Sequence, residues 1–281
     1  MSTITAKLVK SLRDRTGAGM MDCKKALLEV GGDEELAIDL LRTWGAAKAA
    51  KRAQREASEG IVHVESSDTG FAMVTVSSET DFVALNEEFQ DFSARLAKQV
   101  LTSDLSDGQV VSGEQLLALE PFKAFGDELT DLRSKIGENI GVSRVVRYEP
   151  AAGSSVAAYV HFGGKIGVLV ELTGAEGQED AARDVAMHVA AVNPAAVSAD
   201  EISAEDSERE RQIHIAQAKE DGKPEAIIEK IVEGRMRKFY QQSVLGQQAF
   251  VKDSDVTVEQ MLHQRADGLT VRRFVRFQIG E

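Results

Sequence analysis

Two short stretches, 129 residues apart, carry one pattern: "VSRVVRYE" at 142–149 and "VRRFVRFQ" at 271–278 match at Val142/Val271, Arg144/Arg273, Val146/Val275, Arg147/Arg276 and Tyr148/Phe277. Runs rich in β-branched and aromatic residues read as strands. Each closes a segment with the same plan. Before the first lies "GIVHVESSDTGFAMVTVSS" at 60–78, two β-rich runs around a polar turn, then a helical stretch with Leu85, Phe89, Phe92 and Leu96 on one stripe. Before the second lies "SVAAYVHFGGKIGVLVEL" at 155–172, a hairpin turning at Gly163-Gly164, then the helical "EDAARDVAMHVAAV" at 179–192. Hairpin, helix and closing strand therefore occur twice, which specifies an α+β fold: two related antiparallel-sheet subdomains, each with helices packed on one face.

Three further segments complete the organisation. Residues 1–56 are helical throughout: Ile4, Leu8 and Leu12 recur until the break at 16–19, a second helix runs from Met20 to Val30, and Asp33 caps a third. This is a three-helix N-terminal module whose tail, "AAKAAKRAQREAS", has no large apolar residue and reads as a semi-rigid helical linker. The core follows as 57–140, with helices over about 80–100 and 116–139, and 141–281. Inserted in the second part is a helical hairpin, 204–242, turning at Asp221-Gly222-Lys223-Pro224. Its first arm is dominated by charge. Such an element either projects into solvent or pairs with another chain in a coiled coil, forming a homodimer or heterotetramer.

Composition narrows the function. With 33 basic and 46 acidic residues the formal charge is −13, which repels a phosphate backbone and favours a protein or a cation over direct nucleic-acid binding. The one cysteine excludes an internal disulfide and suits a reducing, cytoplasmic setting. No apolar run reaches the length of a bilayer span, and the N-terminus runs smoothly into a helix as mature structure. "TGAGMMDCKKAL" and "HFGGKIG" lack phosphate-loop spacing, the five histidines are scattered, and Cys23 has no constellation of a nucleophile around it. No cofactor, no metal and no catalytic residue is expected. A binding protein is favoured; a Cys23 or carboxylate enzyme, and a scaffold binding through the hairpin, are the rivals.

Three features exceed what packing asks for. Met20-Met21 follow a Gly-Ala-Gly turn, and both cannot face the core of so small a module. "SKIGENIG" at 134–141 breaks a helix at Ile136-Gly137, where a C-terminal cap is one explanation. In "SSETDFVALNEEF" at 77–89, Thr80 or Ser78 can cap a helix and Asp81 suits its first turn. Phe82 lies close to the apolar stripe and Val83 well off it, so this segment is either a core-edge helix start or a projecting wedge.

Seven motifs in order, "LVKSLRDRTGAGMMDCKKAL" at 8–27, "ETDFVALNEEF" at 79–89, "SKIGENI" at 134–140, "GGKIGVLVE" at 163–171, "AMHVAA" at 186–191, "GKPEAIIEKIVEGRMRKF" at 222–239 and "RFVRFQIGE" at 273–281, resemble bacterial translation elongation factor Ts. The resemblance implies a guanine-nucleotide exchange factor, without a chemical active site, that binds the GDP form of elongation factor Tu in the cytoplasm. It implies a ubiquitin-associated-like N-terminal module with contact positions Arg13, Met20 and Met21. It also implies that Thr80, Asp81, Phe82 and Val83 enter a cleft beside the nucleotide and dislodge the partner's Mg²⁺, with Phe82 as wedge and Asp81 as the polar partner that fixes the insertion; Leu85 and Phe89, on the apolar stripe, are expected to anchor the helix in the core. Ile136, Gly137 and His161 stand at further contact positions. Ser77-Ser78 and Leu85 depart from the family's usual residues.

Overall fold

The computed structural model describes residues 4–281. Helix α1 (Ala6–Thr16) starts where the Thr5 hydroxyl accepts the Leu8 N–H, α2 (Met20–Glu29) follows a glycine turn, and α3 (Glu34–Arg52) starts where the Asp33 carboxylate accepts the Leu36 N–H. Val9, Leu12, Cys23, Ala26, Leu27, Ala37 and Leu41 meet in their common core. The residues with helical spacing thus pack as a three-helix segment.

Strands β1 (Glu59–Ser67) and β2 (Gly70–Ser78) form the first hairpin, and the chain continues through a single turn, α4 (Asp81–Ala84), into α5 (Glu87–Leu101). After β3 (Val111–Ser112) come α6 (Gly113–Ala118), α7 (Lys123–Ile136) and β4 (Ile140–Tyr148). The sheet order is β1-β2-β4-β3 with antiparallel neighbours. Phe89, Phe92, Leu96 and Val100 of α5 cover Ala72, Val74 and Val76 of β2, joined by Leu129 and Leu132 of α7. Each such aromatic or aliphatic side chain contributes roughly 1.5–3 kcal/mol by leaving water.

Four expectations change here. The helix over 80–100 is two helices, because Asn86 interrupts it and its Oδ1 accepts the Glu88 and Phe89 N–H groups at 2.9 and 3.2 Å. The helix over 116–139 is likewise divided, at a 3-10 turn over Glu120–Phe122 that contains Pro121, which has no N–H to continue an α-ladder. The alanine-rich tail of α3 is helical but not a free linker. It packs along α7: Ala49 is buried, and Arg52 Nη1 donates to the Arg133 carbonyl at 2.9 Å. Small side chains carry no bulk of their own to bury, yet they let two helix backbones approach closely. Finally, β4 pairs with β2 from Phe71↔Tyr148 to Ser78↔Ile140, so the first unit extends to Glu149 instead of stopping at 140.

That unit comprises Met1–Glu149, Phe162–Lys165 and Gln278–Glu281; the second comprises Pro150–His161 and Ile166–Phe277. The second repeats the plan, with β5 (Ser155–Val160) antiparallel to β6 (Ile166–Thr173), α8 (Glu179–Val192) packed against both, and the sheet order β5-β6-β9 closed by β9 (Thr270–Gln278). Between α8 and β9 stand α9 (Ala204–Glu220), α10 (Glu225–Ser243), β7 (Ala249–Phe250), β8 (Asp253–Thr257) and α11 (Val258–Arg265). The hairpin of α9 and α10 has a small seam of its own: Ala218, Ile228 and Val232 are buried, flanked by Ile215, Ile231 and Met236. No described helix is long and apolar enough to cross a membrane.

Two of the polar groups buried in the second unit are ionisable, Glu171 and His188. Glu171 accepts Arg272 Nη1 at 2.8 Å, Arg273 Nε at 2.6 Å and the Ala151 N–H at 2.9 Å. His188 accepts the Val251 N–H at Nδ1, which assigns its proton to Nε2, the atom that donates to Gln248 Oε1 at 2.9 Å. Both are fully satisfied, as buried polar groups must be.

Candidate functional site: the exposed turn after the first hairpin

The turn Asp81–Ala84 has two opposed sides. Val83 and Ala84 are buried in the first core, whereas Phe82 is 80% and Leu85 75% exposed, and Asp81 is exposed beside them. The break at Asn86 is the cause. It ends the first turn with the Leu85 and Asn86 N–H groups on the Phe82 and Val83 carbonyls, so the phase of α5 no longer decides which way residues 81–85 face. Phe82 is therefore the projecting residue. Val83 and Leu85 exchange the places expected of them: Val83 anchors and Leu85 faces water, while Phe89 is buried as expected.

What fixes this turn is a lattice of polar bonds. Thr80 does not cap α4 with its side chain. Instead its N–H and hydroxyl donate to the two oxygens of Glu138 at 3.0 and 2.8 Å, and the buried Ser78 hydroxyl donates to the Thr80 carbonyl at 2.9 Å. One residue earlier, Glu79 Oε1 accepts the Asn139 N–H at 2.6 Å and faces Arg55 Nη1 at 3.4 Å. Asn139 Nδ2 in turn donates to the Arg55 carbonyl at 2.7 Å. Carboxylate-centred bonds are the stronger kind. Residues 79–80, 138–139 and 55 form one frame, and on it sits a rigid apolar tip.

The frame explains why "SKIGENI" matters to the turn. Gly137 takes φ 91° as the C-cap of α7 and its N–H returns to the Arg133 carbonyl, a conformation that L side chains rarely adopt. The chain then reverses and presents Glu138 to Thr80. Ile136 is half-buried against the first core, so its side chain packs. Sequence reasoning missed Glu79, Glu138 and Asn86. Asn86 followed by Glu87-Glu88 is a readable helix start, whereas the carboxylate clamp joins residues 58 apart and has no local signature.

The other expected residues lie elsewhere. Arg13 is exposed on α1, and both methionines at the start of α2 face out, Met20 at 44% and Met21 at 74% exposure. His161 is exposed on the second unit at the end of β5, its Nδ1 3.0 Å from the Tyr159 hydroxyl. Cys23 is buried; burial pushes its thiol pKa up, against a weaker opposing hydrogen bond with Thr16. Among the described residues no group of three or more His, Cys, Asp or Glu side chains could hold a metal ion.

Lys165, in the first unit, adds charge next to the turn. Its ammonium bonds Glu59 at 2.7 Å, which raises its pKa, and Asp81 adds to that rise through space. The model of the family described as Elongation factor TS matches residues 79–281, beginning one residue before Thr80. Over most of its length, including the polar frame from Glu79 to Asn139 and the whole second unit, the chain belongs to the elongation factor Ts family, nucleotide exchange factors that serve elongation factor Tu in translation elongation.

Proposed function

We propose that the turn carrying Asp81 and Phe82 is the working part of the exchange factor: it enters elongation factor Tu in its GDP form beside the nucleotide and dislodges the bound Mg²⁺. The observation that carries this reading is the exposure of Phe82 on a turn whose Val83 and Ala84 are buried and which follows Thr80, clamped by Glu138. A large aromatic held out on a rigid frame transmits force to what it meets, and costs little entropy to dock. Mg²⁺ offsets phosphate charge in a GTPase, so its loss weakens nucleotide binding without breaking any bond in the nucleotide. By linkage, a factor that weakens nucleotide binding is released when fresh nucleotide binds, and so turns over.

In this reading Asp81 fixes the insertion as its polar member and Val83 seats the turn. Arg13, Met20 and Met21 are contacts from the N-terminal segment, and His161 is a contact from the second unit. Ile136 and Gly137 act by placing Glu138. The setting is the cytoplasm. The test is release of fluorescent GDP from elongation factor Tu. Asp81→Ala and Phe82→Ala should each lose most of the stimulated release while keeping the wild-type circular dichroism spectrum; normal release in both variants would refute the wedge.

A further inference from the structure

The most exposed large apolar side chain of the described residues is not Phe82 but Phe162, at 97%. It stands in the tip between β5 and β6, where Gly163 and Gly164 take φ 88° and 72°. An exposed phenylalanine on a loose loop would be unremarkable. This tip, residues 162–165, is fastened within the first unit: the Val62 N–H donates to the Gly164 carbonyl at 2.7 Å, the Ile279 N–H to the Lys165 carbonyl at 2.9 Å, and Lys165 Nζ bonds Glu59 at 2.7 Å. The backbone beneath Phe162 is thus pinned by neutral and charged bonds while its ring meets only water.

The pinned tip also adjoins the turn of α4. A Cβ built on Gly164 would lie 3.5 Å from Ile61, and Ile61 packs against the core cluster that holds Val83 and Ala84. On the charged side, Lys165 feels Asp81 through space. Phe82 and Phe162 therefore rise from neighbouring parts of one unit, each on a backbone fixed from below. Neither ring contributes to the folded core. Rigid aromatics that are exposed in the free protein are what interface hot spots look like before the partner arrives, because docking them sacrifices little conformational freedom.

We infer that Phe162 is a second apolar anchor for the same GTPase, an affinity contact beside the Phe82 wedge. The inference rests on the reading of Phe82 given above for the identity of the partner, and assigns the two rings different work. Phe162, carried on a tip that is separate in sequence from the turn, holds the complex together. Phe82 perturbs the nucleotide site once the complex has formed.

Stopped-flow release of fluorescent GDP, run over a range of concentrations of the full chain, separates these roles. Phe162→Ala should raise the half-saturating concentration about tenfold, the scale of one hot-spot residue, and leave the plateau rate in place. Phe162→Leu should recover much of the affinity. Phe82→Ala should instead lower the plateau. An unchanged half-saturating concentration in Phe162→Ala, with Phe82→Ala impaired, overturns the anchor and leaves the wedge standing; a normal plateau in Phe82→Ala removes the wedge whatever Phe162 does. Thermal melting of Phe162→Ala should match wild type, since the ring has no packing to lose. A Phe162-dependent self-association of the protein in sedimentation velocity would put a second copy on the tip and also overturn the proposal.

Discussion

At the scale of single residues, the site is a division between what is held and what is offered. Val83 and Ala84 are sunk in the core, Thr80 is clamped by Glu138, and Phe82 is left in water. Glu138→Ala should therefore damage exchange without touching the residues that would contact the partner. Loss of two bonds to one carboxylate should lower stability by about 1–3 kcal/mol, read from the urea midpoint. The plateau rate of stimulated GDP release should fall at the same time, with the circular dichroism spectrum intact. The candidates Asp81 and Phe82 were legible in the sequence as an acid and an aromatic at a helix start, but their exposure was not. Periodicity set Phe82 near the stripe of Leu85 and Phe89 because it assumes one unbroken helix, and the cap at Asn86 resets the phase.

Among the elements, the repeated hairpin, helix and closing strand was readable because it is written twice, and each copy was legible from alternation alone. The breaks within helices were harder. Pro121 and Asn86 act through one missing N–H and one side-chain oxygen, local effects that leave the apolar periodicity of the sequence unbroken. The packing of the α3 tail is illegible for another reason: alanines carry no periodic signal, yet Ala49 is buried where α3 packs along α7. Asn86→Ala tests the break. Removing the cap oxygen from the Glu88 and Phe89 N–H groups should cost about 1 kcal/mol of stability in urea unfolding. If α5 simply extended backward through Asp81 as one good helix, stability would hold or rise.

For the molecule as a whole, stability should depend on pH through two buried groups of the second unit. Burial lowers the pKa of His188 below its ordinary value of 6.5, only partly opposed by Gln248. The unfolded chain then binds the proton more tightly, so stability is full above pH 6.5 and declines as pH falls below it. Burial alone would raise the pKa of Glu171, but the Ala151 N–H, Ser154, Arg272 and Arg273 together hold it below its ordinary 4.5. Its contribution is present above pH 4.5 and is lost as pH falls through the lower folded value. The urea midpoint of this unit should drop between pH 6.5 and 5 in the wild type, and His188→Gln should flatten that slope while lowering the midpoint at pH 7.

In the reading proposed above, the molecule acts on its partner by displacing the partner's Mg²⁺. The most direct test is release of fluorescent GDP from elongation factor Tu by wild type and by Phe82→Ala, first with Mg²⁺ present and then with Mg²⁺ chelated. With Mg²⁺ present, wild type should stimulate release strongly and the variant weakly. Under chelation the difference between them should narrow, because the step that Phe82 drives has already been taken; an undiminished difference without Mg²⁺ would contradict displacement of the ion as the work of this turn.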